Sequence, residues 1–249
     1  MSIPSDPDRR LLVSVDMERY SRQDNELQFR SQQIFQQAMA DAVLDLGLDR
    51  TGWMTQHGGD GELAVLPPGT PEPKVVGELV FAVDKRLAAA NLDRADGARV
   101  RLRMAMHEGL VHLDGAAGFP GAAVVTVSRL VDAPPVKAAL RAYRSANVVL
   151  IVSNPIYQDV VLAYRRPRPD RFLKVEASIA EKGFAQQAWI FIPDEDVTRG
   201  GGISDEEETG PRAGGRRSAT GESATTSYNI GEVSGESLIF GNHGTINRR

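Results

Sequence analysis

The stretches LLVSVDMERYS (residues 11–21) and QHGGDGELAV (residues 56–65) decide the interpretation of this chain. The first is an apolar run typical of a buried strand, and it ends at Asp16. In the second, Asp60 lies in a glycine-rich turn just before another apolar run. Two aspartates at adjacent strand ends can share a divalent metal ion and, through it, a nucleoside triphosphate. The sequence therefore raises a nucleotide-handling site as its first hypothesis.

The composition excludes several other classes of function. The chain has 249 residues, of which 41% are hydrophobic and 25% charged, as in ordinary globular proteins. Its net charge of −4 gives no electrostatic basis for binding nucleic acid or an anionic membrane surface. It contains no cysteine, which excludes disulfides, zinc–thiolate sites and thiol catalysis. No apolar run approaches the roughly 20 residues of a membrane-spanning helix, and there is no signal core, so a cytoplasmic protein is expected.

The hydrophobic periodicity predicts the order strand, helix, two strands, helix, strand, helix, strand and a closing hairpin. The predicted strands are 11–17, 53–56, 62–66, 101–107, 147–153, 172–177 and 188–192, and the predicted helices are 26–46, 74–92, 122–130 and 137–143. This order is typical of an α+β fold, a ferredoxin-like βαββαβ sandwich with helices on one face of an antiparallel sheet. An additional helix and a C-terminal hairpin complete it.

The composition also predicts the domain boundaries. Residues 1–9 are polar and predicted to be disordered, and residues 10–193 form the folded domain. Residues 194–226 are rich in Gly, Ser, Thr, Glu and Arg, as expected of a disordered linker. In residues 227–249, short apolar triplets alternate with Gly and Asn turns. This β-prone tail is too short to fold alone, and its pattern favours pairing with a strand of a partner protein.

Five segments, in order, resemble the catalytic domain of the class III nucleotidyl (adenylate/guanylate) cyclases. They are the metal segment 15–21, the hairpin 59–65, the strand 101–109 with its His-x-Gly end, the interface helix 121–130 with its Ser-Arg-Leu end, and the Lys-Gly hairpin 182–191. The resemblance covers residues 10–193, and it is to a divergent bacterial member of the family.

The resemblance implies a metal site. In the family, two domains pair head to tail, and two divalent ions at their interface activate the ribose 3′-hydroxyl and bind the triphosphate. Matched residue by residue, it implies Asp16, Asp60 and the main-chain carbonyl of Met17 as ligands of two Mg²⁺ or Mn²⁺ ions. The plainer interpretation is one helix-capping and one turn aspartate.

The resemblance also places two base-selecting positions, on Gln56 and near Gly118. Adenylate cyclases usually have Lys at the first position and guanylate cyclases Glu. The amide of Gln56 can hydrogen-bond either purine, and Gly118 has no side chain to select a base. The base preference therefore stays open.

The catalytic positions of the family are only partly present. The transition-state Asn falls on Val125, which offers no hydrogen bond. Arg129 matches the arginine that stabilises charge on the α-phosphate, and Lys182 matches a lysine that contacts the triphosphate. Their plainer interpretations are a surface arginine and a turn lysine. His107, at the end of its strand, is interpreted as structural.

Three functions remain open. The first is a nucleotide-binding, homodimeric signalling domain with weak or absent cyclase activity. The second is an active cyclase that forms a 3′,5′-cyclic nucleotide and pyrophosphate, because Asp16, Asp60 and Arg129 are present. The third is an adaptor that dimerises and recruits a protein effector through residues 227–249, whose pattern resembles short amyloid-like signalling motifs of bacterial conflict systems.

Overall fold

The computed structural model describes residues 6–115 and 118–199. The strands are β1 (Asp8–Met17), β2 (Met54–His57), β3 (Gly61–Val65), β4 (Leu102–Val111), β5 (Val148–Ser153), β6 (Leu173–Ile179) and β7 (Phe184–Phe191). The helices are α1 (Asn25–Asp45), α2 (Glu72–Asn91), α3 (Ala122–Asp132), α4 (Pro134–Ala142), α5 (Asn154–Ile156) and α6 (Leu162–Tyr164), with a π-helical turn (Tyr157–Val161) between the last two. In these two ranges, no helix combines the length and apolarity needed to cross a membrane. The predicted β-prone tail and all but the first six residues of the predicted linker lie outside the described residues.

The seven strands form one mixed sheet in the order β2-β3-β1-β4-β5-β7-β6. Neighbouring strands are antiparallel except β4 and β5, which are parallel, so the prediction of a wholly antiparallel sheet was wrong at this pair. A parallel pair requires a crossover connection, and here α3 and α4 supply it. The prediction of an α+β, ferredoxin-like fold with an additional helix and a C-terminal hairpin is confirmed.

The helices cover both faces of the sheet, so their predicted placement on one face was wrong. Helices α1 and α2 share one buried cluster with alternate residues of β1 and β4, and α3 and α4 share a second cluster on the opposite face. The reason is visible in β5, whose six residues are all buried. A strand that is apolar on both faces needs a cover on each side.

Several boundaries differ from the prediction. Strand β1 begins at Asp8, inside the stretch predicted as disordered, because Asp8 and Arg9 pair with Val111 and Leu110 of the long strand β4. The helical segment from Asn154 to Tyr164 was not predicted. Strand β7 begins at Phe184 rather than at residue 188.

Gly61 lets β1 and β3 approach closely at the end of β1. In the register of this pair, Asp16 lies opposite Gly61. A Cβ atom at position 61 would lie 2.1 Å from the carbonyl oxygen of Val15, a distance that real Cβ atoms do not adopt. Any side chain at this position would therefore push apart the two strands whose ends hold the predicted metal ligands.

Replacing Gly61 with alanine should lower the free energy of unfolding by about 1–3 kcal/mol, as overpacking does in tight interiors. Gly97→Ala is the matched control, because a Cβ at Gly97 meets nothing within 4 Å. Urea denaturation of both variants measures the effect. Equal stability of the two variants would contradict the close approach.

His107 on β4 is held in the neutral form by its surroundings. Its Nδ1 lies 2.9 Å from the hydroxyl of Ser153 on the neighbouring strand β5. Burial, with a smaller effect of the Arg9 charge, lowers the pKa of His107 to about 4. The structure supports the structural role expected from the sequence, because His107 bridges two central strands.

This pKa predicts a pH dependence of stability. The unfolded chain takes up a proton at His107 near pH 6.5, whereas the folded protein does so only near pH 4, so stability should fall as the pH drops through this window. Because His107→Gln removes the titrating group, its stability should fall less over the same window. NMR titration of the His107 ring measures the folded pKa directly, and a midpoint near 6.5 would be inconsistent with the buried neutral ring.

Candidate functional site

The structure brings Asp16 and Asp60 to neighbouring positions at one end of the sheet. Asp16 is the penultimate residue of β1, and Asp60 is the last residue of the turn before β3. The main-chain N–H of Met17 donates to the carbonyl oxygen of Asp60 at 2.7 Å. Asp16 therefore lies within a strand, which excludes the helix-capping interpretation, whereas Asp60 does occupy a turn.

The carboxylate of Asp16 is paired with an arginine that was not among the predicted site residues. Arg103 of β4 lies directly opposite Asp16 in the β1–β4 register. Its Nη2 donates to Asp16 Oδ2, and the two side chains are only 15% and 21% exposed. Oδ2 of Asp16, one of the oxygens expected to bind a metal ion, thus already accepts a hydrogen bond from a guanidinium group. The only feature of the sequence that could have indicated this ion pair is the charged residue Arg103 within a strand in which apolar residues alternate.

Two further acidic residues next to this site each form an ion pair with an arginine. Glu18 follows Met17 and accepts a hydrogen bond of 2.9 Å from Nη1 of Arg101. Glu62, on β3, is buried and accepts two hydrogen bonds from Nη2 of Arg50. Among the described residues, Asp60 has no ion pair. Within this part of the chain, the carboxylate of Asp60 is therefore unpaired, whereas the three other carboxylates in this region each pair with an arginine.

Arg101 also fixes the segment that follows β1. Besides Glu18, its guanidinium donates to the main-chain carbonyls of Leu140, Tyr143 and Ala146 around the C-terminal end of α4. Glu18 in turn donates its N–H to the carbonyl of Arg101 at 2.9 Å. These bonds anchor the backbone directly after Asp16 and Met17, so the predicted metal segment has a defined conformation.

The predicted basic residues lie beside a second ionic cluster at the end of α3. Lys182 belongs to the turn between β6 and β7, and its Nζ lies 3.4 Å from Oδ2 of Asp132. Lys137 of α4 pairs with the same carboxylate. Arg129, one turn earlier on α3, places its guanidinium 5.6 Å from the centre of the Phe184 ring. Arg129 and Lys182 are thus brought into one neighbourhood by Asp132 and Phe184.

The charge of Asp132 in this cluster affects the pKa of Arg103. Burial lowers the pKa of Arg103, the negative charge of Asp132 opposes that effect, and the charge of Arg141 adds to it. For Asp132, burial raises the pKa, but the hydrogen bonds and charges of Lys137 and Lys182 together lower it below its usual value. Asp132 is therefore near enough to Arg103 for their charges to interact.

The two predicted base-selecting positions lie next to each other. A Cβ atom at Gly118 would lie 2.8 Å from Oε1 of Gln56, and Gly118 has a φ of +130°, where glycine is favoured. The carboxamide of Gln56 therefore occupies the space that a side chain at position 118 would need. Gln56 itself is exposed on the edge strand β2.

The donor chemistry fits a metal ion that is shared with a phosphate ligand. In the described ranges, no group of three or more His, Asp or Glu side chains could hold a metal ion. Two carboxylates and one carbonyl are nevertheless what Mg²⁺ commonly takes from a protein, because it fills its remaining positions with water and substrate phosphates. Asp16, Asp60 and the carbonyl of Met17 could supply these ligands, provided that Arg103 releases Asp16.

Comparison with known proteins is informative only at the level of structure, because the sequence matches no protein-family model and no curated protein. The adenylate/guanylate cyclase/hydrolase from Silicibacter pomeroyi is similar over 77% of this chain and 100% of its own, with 15% identity and a TM-score of 0.54. The guanylate cyclase domain of RhGC from Catenaria anguillulae, solved with GTP, is similar over 76% of this chain and 97% of its own, with 14% identity and a TM-score of 0.49. The monomeric guanylyl cyclase domain of the RhoGC fusion protein from Blastocladiella emersonii has 12% identity and a TM-score of 0.48, over 76% of this chain and 98% of its own. From the similarity to the whole S. pomeroyi structure, the chain has the fold of an adenylate/guanylate cyclase domain.

Proposed function

We propose that the chain is a cyclase-like signalling domain that binds a metal–nucleoside triphosphate at an interface between two copies of itself, with weak or absent cyclase activity. The observation that carries this proposal is the placement of Asp16 and Asp60 side by side at the ends of β1 and β3. This is the arrangement that the resemblance to the cyclase family requires for binding a metal and a triphosphate. When bound, Mg²⁺ or Mn²⁺ would polarise the triphosphate.

Weak turnover follows from the side chain at position 125. Val125 is 40% exposed on α3, one turn before Arg129. A valine at this surface position offers no hydrogen bond to a ribose, so a bound nucleotide would lack one positioning contact. Arg129 and Lys182 would still supply positive charge to the phosphates.

An active cyclase is the second candidate, and it is supported by the same residues. Asp16, Asp60 and Arg129 together would provide the larger electrostatic contributions to cyclisation. Recruitment of an effector by residues 227–249 remains a prediction from the sequence, because that segment lies outside the described residues.

Binding of a triphosphate should raise the thermal stability of the protein. At a hundredfold excess over the Kd, a ligand adds about 2.7 kcal/mol, which corresponds to about 5–10 °C in Tm for a domain of this size. We expect this shift with Mg²⁺ and at least one of ATP, GTP, CTP and UTP. Asp60→Asn should abolish it, whereas Asp93→Asn, at an exposed position after α2, should retain it. Retention of the shift in Asp60→Asn would refute the site.

Turnover should respond to position 125. With Mn²⁺ and each triphosphate in turn, mass spectrometry should detect little or no cyclic product from the wild type. Val125→Asn should raise the rate about tenfold or more, because single positioned hydrogen-bond donors often contribute a factor of about 10²–10³. Thr126→Asn, the neighbouring change, should have no effect. Wild-type product that disappears in Asp60→Ala would favour the active cyclase instead.

A further inference from the structure

The ion pair between Asp16 and Arg103 competes with the binding of a metal ion at the proposed site. Nη2 of Arg103 donates to Oδ2 of Asp16, and both side chains are largely buried. A divalent ion bound to this carboxylate would have to share it with the guanidinium or displace it. Either outcome brings a buried positive charge close to a second positive ion, which is unfavourable in a poorly solvated site.

The guanidinium of Arg103 also has unused hydrogen-bonding capacity. Its Nε is buried and donates no hydrogen bond to any of the described residues. Buried donors without a partner are uncommon in folded proteins, and an absent ligand is one explanation for them. A planar guanidinium with a free donor is suited to a phosphate group, which can accept two parallel hydrogen bonds.

Asp132 does not replace Asp16 as the partner of Arg103. Its charge is near enough to oppose the lowering of the Arg103 pKa. However, its carboxylate already pairs with Lys137 and Lys182. If Arg103 were displaced from Asp16 by a metal ion alone, it would therefore find no uncommitted carboxylate around Asp132, and Asp60 would itself be engaged as a ligand of the metal. A triphosphate would supply the missing anion.

We propose that Arg103 is a positioning residue that couples metal binding to triphosphate binding. Its ion pair keeps Asp16 from binding a metal ion until phosphate oxygens replace Asp16 as the hydrogen-bond acceptors of the guanidinium. The exchange releases Asp16 at the moment when the phosphates also complete the coordination of the metal. This inference rests on the proposed function, and it adds that the metal and the triphosphate bind cooperatively rather than independently.

Metal binding without any phosphate ligand tests the coupling most directly. Electron paramagnetic resonance gives the Kd of the full-length protein for Mn²⁺ alone. We expect Arg103→Met to bind Mn²⁺ at least tenfold more tightly than the wild type, because Asp16 is then free. Arg103→Lys, which retains the charge, should lie between the two and guards against a folding defect in the methionine variant.

The matched control is Arg10→Met. Arg10 lies six residues before Asp16 on β1, and it also is largely buried, forms an ion pair, with Asp8, and has one buried nitrogen without an acceptor among the described residues. Removing it disturbs a similar pair that does not involve Asp16. Its Kd for Mn²⁺ should therefore equal that of the wild type, and a gain similar to that of Arg103→Met would overturn the proposal.

A second readout follows the guanidinium itself. In protein labelled with ¹⁵N-arginine, the side-chain signal of Arg103 should move when Mg²⁺ and inorganic tripolyphosphate are added together, and much less with Mg²⁺ alone. Equal Mn²⁺ affinity of the wild type and both Arg103 variants would overturn the coupling. If Mg²⁺ with ATP or GTP still raised the Tm, the proposed function would survive that result. If no nucleotide bound, the proposed function would fail as well.

Discussion

The antiparallel pairing of β1 with β4 is the constraint on which the rest of the structure depends. It runs without interruption from Asp8 opposite Val111 to Met17 opposite Leu102. Alternate residues of both strands enter the two opposite cores, so a slip of one residue would exchange the buried faces. The same register places Arg103 opposite Asp16. The packing of the cores thus also fixes the electrostatics of the candidate site.

Much of the fold could be predicted from the sequence because the periodicity of its apolar residues is strong. The order of the strands and main helices, and the neighbourhood of Asp16 and Asp60, follow from local patterns. The segment 154–164 was missed because a π-helical turn interrupts the spacing of its apolar positions. The prediction of helices on one face overlooked the continuous apolar run of β5, because such a strand needs a cover on each side of the sheet.

The candidate site was only half predictable for a similar reason. Asp16 and Asp60 stand out because acidic residues at the ends of apolar runs are conspicuous. Arg103 lies 87 residues after Asp16, and only the register of two paired strands makes them partners. The same holds for Glu62, whose buried carboxylate is tolerable only because Arg50 meets it. Fixed guanidinium charges therefore balance this site before any ligand arrives, which sequence motifs for metal ligands do not reveal.

The late position of the final hairpin in the chain has a consequence for folding during synthesis. Strand β5 is wholly buried, and its outer edge is covered by β7, which the ribosome delivers about 40 residues later. During that interval, an apolar strand with unpaired backbone groups forms the rim of the nascent sheet, a surface to which other chains readily add. At translation rates of about 5–20 residues per second, this exposure lasts for seconds. The domain should therefore depend most on chaperones late in synthesis, when all of its candidate site residues except Lys182 have already been made.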